Sequence, residues 1–249
     1  MPVDLTQITA YVAKHIGGFH QRRLKSLQSL DLDAVLKRKN PYLFRAKNLT
    51  TAGDLIKVLV EAHLSSQEET LFGIFLEGLA IYVCEMTFNG RKSAATGVDL
   101  EFGRDGVRYL VSIKSGPNWG NSSQIAKMKD HFKTAQKIIR TGGQRIQVCA
   151  VNGCCYGRDN TPDKGDYDKY CGQRFWSFIS GSDSLYQDLI EPIGREARQR
   201  NQAFNEQLAS RINQLTRDFI ARYCNADGTI DWPHIVALNS GVSPSTAGQ

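Results

Sequence analysis

Asp99, Ser112 and Lys114 flank a short turn, and their types suit phosphodiester chemistry. Two strand-like stretches, 97–102 and 107–113, border Arg104-Asp105-Gly106, and Asp-Gly is a strong hairpin signal. With Asp105 and Gly106 as the two turn residues, Arg104 faces Val107. The same register sets Asp99 opposite Ser112 and Glu101 opposite Leu110. Side chains alternate faces along a strand, so Asp99, Glu101, Leu110, Ser112 and Lys114 share one face. Lys114 is then the diagonal neighbour of Asp99, roughly 7 Å away at the backbone. A carboxylate there suits Mg²⁺, a hard ion that prefers oxygen ligands. Such an ion polarises a phosphate and acidifies the attacking water. A lysine beside it orients that water or offsets the charge that builds on the phosphate. An acid next to a lysine also forms ordinary surface ion pairs of small energetic weight, so the spacing alone does not decide between the two.

The surrounding pattern says what must position these residues. Apolar residues at Leu5, Ile8, Val12 and Ile16, then Leu24, Leu27 and Leu30, predict helix over 5–36, broken at Gly17-Gly18. Asn40-Pro41 ends that region. A second helix is expected over 51–64. A third begins near Ser66 and carries Leu71, Ile74, Phe75, Leu79, Tyr82 and Val83; it is apolar nearly all round and belongs in the core. After the hairpin, a helix is expected over 122–140, stopped by Gly142-Gly143, and then a buried strand over 145–151. Helix, hairpin, helix and strand in that order imply an α/β (α+β) fold, a mixed central sheet flanked by helices. Residues 152–174, rich in Gly, Asp, Asn and Lys, read as a long loop. Residues 175–179 are aromatic and packed, 185–223 form a polar helix broken near Pro192, and 229–238 a last short helix. The tail from Asn239 is small and polar and is expected to fray. One domain of 249 residues is expected, with a helical region to 64, a catalytic core over 65–180 and a helical region over 181–238.

The bulk composition narrows the classes. The formal net charge is +6, which suits a polyanionic partner. No run of about 18 apolar residues is evident, so no membrane partner is expected. The start of the chain has no secretory pattern. Six cysteines stand at 84, 149, 154, 155, 171 and 224, without a CxxC pair, and read as reduced thiols of a cytoplasmic protein. The histidines at 15, 20, 63, 131 and 234 have no HExxH spacing, and P-loop and GxSxG motifs are absent.

Asp99, the hairpin and Ser112-Ile113-Lys114 resemble the signature of the PD-(D/E)XK nucleases: an acid, a hairpin, then an acid, any residue and lysine. The likeness extends to type II restriction endonucleases that cut interrupted GC-rich palindromes of the RGGNCCY kind. It is carried, in order, by Asn40-Pro41-Tyr42, Ala62-His63-Leu64, Phe72-Gly73 with Glu77, Ser112-Ile113-Lys114, Phe175-Trp176-Ser177 and Asn225-Ala226-Asp227-Gly228-Thr229. The resemblance implies a prokaryotic, Mg²⁺-dependent homodimer (Mn²⁺ substituting) that cuts double-stranded DNA and leaves 5′-phosphates, with a cognate methyltransferase as functional partner. Helical elements added to the core would dimerise and clasp DNA. The metal would be held by Asp99, by the backbone carbonyl of Ile113 and by Glu77, which matches an acidic helix residue of many relatives. Ser112 departs from the pattern, because the second acid belongs there. Glu77, and after it Glu101, are the candidates to make up the missing charge.

The small polar loop after Lys114 opens a helix, and such a helix start suits a phosphate. Candidate DNA contacts are Ser115, Asn118 and Asn121 in that loop, with Gln124 at the helix start, where some relatives place a glutamine near metal-bound water. Lys129, Lys133, Lys137 and Arg140 form one stripe of the following helix, and Lys127 leans toward the loop. The 152–174 loop offers Asn152, Arg158, Asn160, Lys164, Lys169, Gln173 and Arg174 for base edges. The basic segments Arg22-Arg23 and Lys37-Arg38-Lys39 are candidates for backbone contact. Two other readings stay open: a repair or recombination nuclease of the same superfamily, and a DNA-binding protein that has lost catalysis with the acid at 112.

Overall fold

The structure is a computed structural model that describes residues 3–141 and 146–242, apart from the side chain of Gln199. Its elements in chain order are α1 (Leu5–Gln28), α2 (Leu32–Arg38), α3 (Pro41–Ala46), α4 (Ala52–Phe88), β1 (Arg91–Lys92), β2 (Leu100–Arg104) and β3 (Val107–Lys114). There follow α5 (Ser122–Thr141), β4 (Gln147–Cys154), β5 (Asp168–Cys171), α6 (Gln173–Ser180), α7 (Leu185–Asp188), α8 (Ile190–Tyr223) and α9 (Trp232–Ser240). Two compact units result, Met1–Phe19 with Glu69–Ala197, and His20–Glu68 with Arg198–Gln249. The division cuts across the segments expected from sequence, because α1, α4 and α8 each contribute to both units.

The first unit holds a five-stranded mixed sheet in the order β1-β2-β3-β4-β5. The pairs β1/β2 and β2/β3 are antiparallel, whereas β3/β4 and β4/β5 are parallel. Asp105 and Gly106 both have positive φ, 51° and 76°, as a two-residue turn of this hand demands. The ladder runs from Arg104↔Val107 to Leu100↔Val111, the register that the turn chemistry dictates. One face of the sheet presents Leu100, Phe102, Val111, Ile113 and Val151. These pack with Ile8, Val12 and Ile16 of α1, Leu79, Ala80 and Val83 of α4, and Phe175 and Ile179 of α6. The other face presents Leu110, Val148 and Ala150 to Met128, Phe132 and Ala135 of α5. Helix α5 links the parallel strands β3 and β4, a connection that needs a crossover element.

In the second unit the core gathers Leu27, Leu55, Leu59, Phe219 and Ile235. Its short helices are set by side-chain caps. Asp31 Oδ1 accepts from the Ala34 N–H at 2.7 Å, Asn40 Oδ1 from Tyr42 N–H at 3.0 Å and Asp231 Oδ1 from His234 N–H at 3.0 Å. Asn239 donates to the carbonyls of Leu36 and Lys39, so the fraying expected from this residue does not begin there.

Several expectations are corrected. Helix α1 runs unbroken through Gly17-Gly18, and the break falls between Gln28 and Leu32. A buried apolar stripe on both sides of the glycines holds that helix together, at a cost of about 1 kcal/mol per glycine. Asn40-Pro41 starts a helix instead of only ending one, with Pro41 in its first turn. The two helices expected over 51–64 and beyond Ser66 are one, α4. Its apolar stretch is long enough by composition to cross a membrane, against the expectation from sequence, yet the same stretch supplies Leu79, Ala80, Val83 and Cys84 to a protein core. The supposed loop 152–174 begins inside β4 and contains β5, whose residues Asp168–Cys171 pair with Val151–Cys154. The break near Pro192 falls at Leu189, with Pro192 in the first turn of α8. Gly142-Gly143, Arg145 and the tail beyond Val242 lie outside the described residues.

Phe132 is 2% exposed and anchors α5 to the face of the sheet behind Ser112 and Lys114. Phe132→Ala is expected to cost about 3–5 kcal/mol in urea denaturation. A loss below about 1 kcal/mol would show that α5 is held by other contacts.

Candidate active site

Asp99 immediately precedes β2 and takes over the end of the hairpin ladder. Its N–H donates to the Val111 carbonyl at 2.8 Å. Its Oδ2 accepts the Ile113 N–H at 2.7 Å, and the Ser112 hydroxyl points at the same oxygen from 3.4 Å. Lys114 Nζ lies 3.9 Å from that oxygen, and the two side chains are 30% and 24% exposed, so both meet solvent at the sheet's end. Along β3 the backbone groups of odd residues turn toward Asp99 and those of even residues toward β4, where the Lys114 carbonyl accepts the Cys155 N–H at 2.9 Å. The Ile113 carbonyl therefore leaves the strand on the Asp99 side. The turn before Asp99 needs Gly97, whose φ is +74°, because a Cβ there would stand 1.8 Å from the His131 ring of α5.

Glu77 approaches from α4, in the helical layer on one face of the sheet. Burial pushes its carboxyl above the usual carboxylate range, and the nearby charge of Asp99 pushes it further, against the pull of Lys92 and Lys114. No hydrogen bond or ion pair reaches Glu77 among the described residues. Cys155 is raised to about 12 by burial and then by the Glu77 charge, so it stays a thiol. The unit thus brings together Asp99, Glu77, Lys114 and the Ile113 carbonyl. Among the described residues no group of three or more His, Cys, Asp and Glu is placed to hold a metal. Asp99 and Glu77 feel one another's charge, and the Ile113 carbonyl leaves the strand on the Asp99 side.

The other candidates are placed as follows. Ser112 is 1% exposed, and its carbonyl accepts from Asn152 Nδ2 at 3.1 Å. Glu101 is bound by Arg91 Nε at 2.5 Å and Arg108 Nη2 at 3.1 Å, so its charge is spent on two arginines. Ser115 and Asn118 line a cavity of about 380 Å³ beside Lys114, together with Trp119 and Tyr156. Asn121 and Gln124 cap α5 reciprocally: Asn121 Oδ1 accepts the Gln124 N–H at 3.0 Å, and Gln124 Oε1 accepts the Asn121 N–H at 2.9 Å. Lys127 and Lys133 are exposed. Lys129 leaves the stripe, paired with Asp166 at 3.1 Å. Arg158 and Arg174 are exposed and line a second cavity of about 520 Å³ that shares Tyr156 with the first. Asn152 is 1% exposed, inside β4 and opposite Ser112, which rules it out as a base reader. Lys164 and Lys169 both face Asp159, at 3.0 and 3.5 Å.

Sequence reasoning missed Trp119. Its ring centroid lies 5.2 Å from Lys114 Nζ and its indole N–H donates to Asn152 Oδ1 at 3.0 Å. The available signal was a lone indole in an otherwise small, polar loop. Glu77 carries a testable sign. A carboxyl raised in the folded state weakens the fold as pH climbs through its folded pKa. In chelator, Glu77→Gln is expected to raise the thermal midpoint at pH 7, with the gain vanishing toward pH 4. A lowered midpoint at pH 7, or a gain independent of pH, would contradict the burial and repulsion assigned to Glu77.

No curated protein matches the chain. The family model described as Type II restriction endonuclease EcoO109I matches residues 6–201. The match takes in α1, the sheet and the Asp99, Glu77 and Lys114 cluster, and it stops before Asn225–Thr229. It covers well over half of the chain, which therefore belongs to the EcoO109I family of type II restriction endonucleases, hydrolases that cut DNA at specific sites.

Proposed function

We propose that this chain cuts both strands of double-stranded DNA at a GC-rich interrupted palindrome of the RGGNCCY kind, by Mg²⁺-dependent hydrolysis of the PD-(D/E)XK type that leaves 5′-phosphates. The observation that carries the reading is the Asp99 carboxylate, fixed by the Ile113 N–H at 2.7 Å with Lys114 Nζ 3.9 Å away. The donors fit a hard cation: two carboxylates and a carbonyl, all oxygen. Asp99, the Ile113 carbonyl and Glu77 would hold Mg²⁺, or Mn²⁺ in its place. When bound, the ion polarises the scissile phosphate and acidifies water.

The chain's own groups do the rest. Asp99 Oδ2 is occupied by the Ile113 N–H, while Oδ1 accepts no hydrogen bond among the described residues. Among the described residues Glu77 has no hydrogen-bonding partner, and it would gain from a cation what burial costs it. Lys114 orients the attacking water and offsets charge on the phosphate. Ser112 steadies Asp99 without adding charge, which leaves Glu77 as the second acid. Ser115, Asn118 and Asn121 would contact DNA beside the site. Lys127, Lys133, Arg158 and Arg174 would neutralise phosphates or meet base edges, and Lys129 would join them by releasing Asp166. A homodimer matches the two-fold symmetry of a palindrome. A cognate methyltransferase protecting the host DNA, and a cytoplasmic location, complete the reading. Loss of the acid at 112 favours one competitor, a DNA-binding protein without cleavage.

Digestion of unmethylated phage DNA with Mg²⁺ separates these. The wild type is expected to give discrete bands, while Asp99→Ala and Lys114→Ala lose on the order of 10²–10³-fold or more in rate. Wild-type protein that shifts DNA in a gel yet cuts nothing with Mg²⁺ or Mn²⁺ would overturn the catalytic reading.

A further inference from the structure

We infer that Trp119 is a positioning residue for Lys114, held in place by the buried amide of Asn152. The inference rests on the nuclease reading for its catalytic meaning, but the contact itself needs neither DNA nor metal.

A lysine side chain has a flexible four-carbon stem, and an amine meant to orient one water must be restrained. Asp99 alone does not restrain it, because a separation of 3.9 Å is longer than a hydrogen bond. The face of Trp119 supplies the second contact: its ring centroid is 5.2 Å from Nζ, within the range where an ammonium is attracted to an aromatic face. The ring is itself fixed. Indole N–H is a donor only, and it finds Asn152 Oδ1 at 3.0 Å. Asn152 spends its other end on the Ser112 carbonyl at 3.1 Å. The amide is 1% exposed, and apart from a weak contact from the Cys154 thiol at 3.9 Å its oxygen depends on the indole N–H, so losing either strong partner would cost hydrogen bonding in a buried place, which makes this bridge stiff. Two further bonds pin the loop from outside: Lys169 Nζ to the Pro117 carbonyl at 2.9 Å, and Tyr156 N–H to the Ser115 carbonyl at 3.1 Å. The path is therefore closed: Ser112 carbonyl, Asn152, Trp119, the Lys114 amine. It starts and ends on the strand that carries the lysine.

The test has two arms. Single-turnover cleavage and DNA affinity are measured for Trp119→Leu, which removes ring and N–H, and Trp119→Phe, which keeps a ring and removes the N–H. Trp119→Leu is expected to slow cleavage by about 10- to 100-fold with little change in affinity, and Trp119→Phe to fall between. In a Lys114→Ala background Trp119→Leu is expected to cost nothing more, because the two act as one unit. Additive losses in that background, or full activity of Trp119→Leu, would overturn the proposal. The second arm reads the contact without activity. Protons on the ε-carbon of Lys114, assigned by comparison with Lys114→Arg, are expected upfield of the free-lysine position in the NMR spectrum, and to return to it in Trp119→Leu. An unshifted Lys114 in the wild type would overturn the proposal whether or not the protein cuts. A shifted Lys114 in a wild type that cuts nothing would instead sink the nuclease reading and leave the contact standing.

Discussion

The site depends on one hydrogen bond, from the Ile113 N–H to Asp99 Oδ2 at 2.7 Å. Where the β2/β3 ladder ends, a side chain replaces the backbone acceptor that the next strand residue would have provided. This satisfies a backbone donor that has left the ladder, and it aims the carboxylate along the sheet's end. The same strand turn sends the Ile113 carbonyl to the acid and places Lys114 one residue on. Moving the hairpin register by one residue would turn Asp99 to the other face and dismantle the cluster. That makes the Asp105-Gly106 turn, remote from the chemistry, part of what sets it.

Charge explains the division of labour among the acids. Glu101 lies two residues beyond Asp99 but is neutralised by Arg91 and Arg108. Glu77 is raised by burial and by Asp99, and no base takes up its charge through an ion pair among the described residues. Two acids near one another without full compensation are costly in the protein alone and favourable around a cation. A buried serine at 112 is consistent with that balance, because a third carboxylate there would deepen the repulsion before any cation arrived.

Much of this was legible in the residues. The turn chemistry of Asp105-Gly106 dictated the register, and from it the alignment of Asp99 with Lys114. The apolar run around Leu79 and Val83 marked a core helix. What was hidden depends on tertiary context. Glycines at 17 and 18 tolerate helix because Val12 and Ile16 are buried on one side and Leu27 on the other. The polar composition of 152–174 concealed β5, a short edge strand whose pairing with β4 is long-range. Lys129 could not be told from Lys133 by spacing: the fold brings Asp166 near both, and only Lys129 closes a direct ion pair with it. Asn152 reads as polar and therefore exposed, although its burial is what gives it a role.

The most direct test is a crystal of the protein with Mn²⁺ and DNA containing its cut site, in which anomalous scattering locates the metal. The account predicts a peak at coordination distance from Asp99 and the Ile113 carbonyl, with Glu77 facing it and the scissile phosphate on its open side. A metal bound elsewhere, or DNA seated with its cut phosphate remote from Asp99, would contradict it.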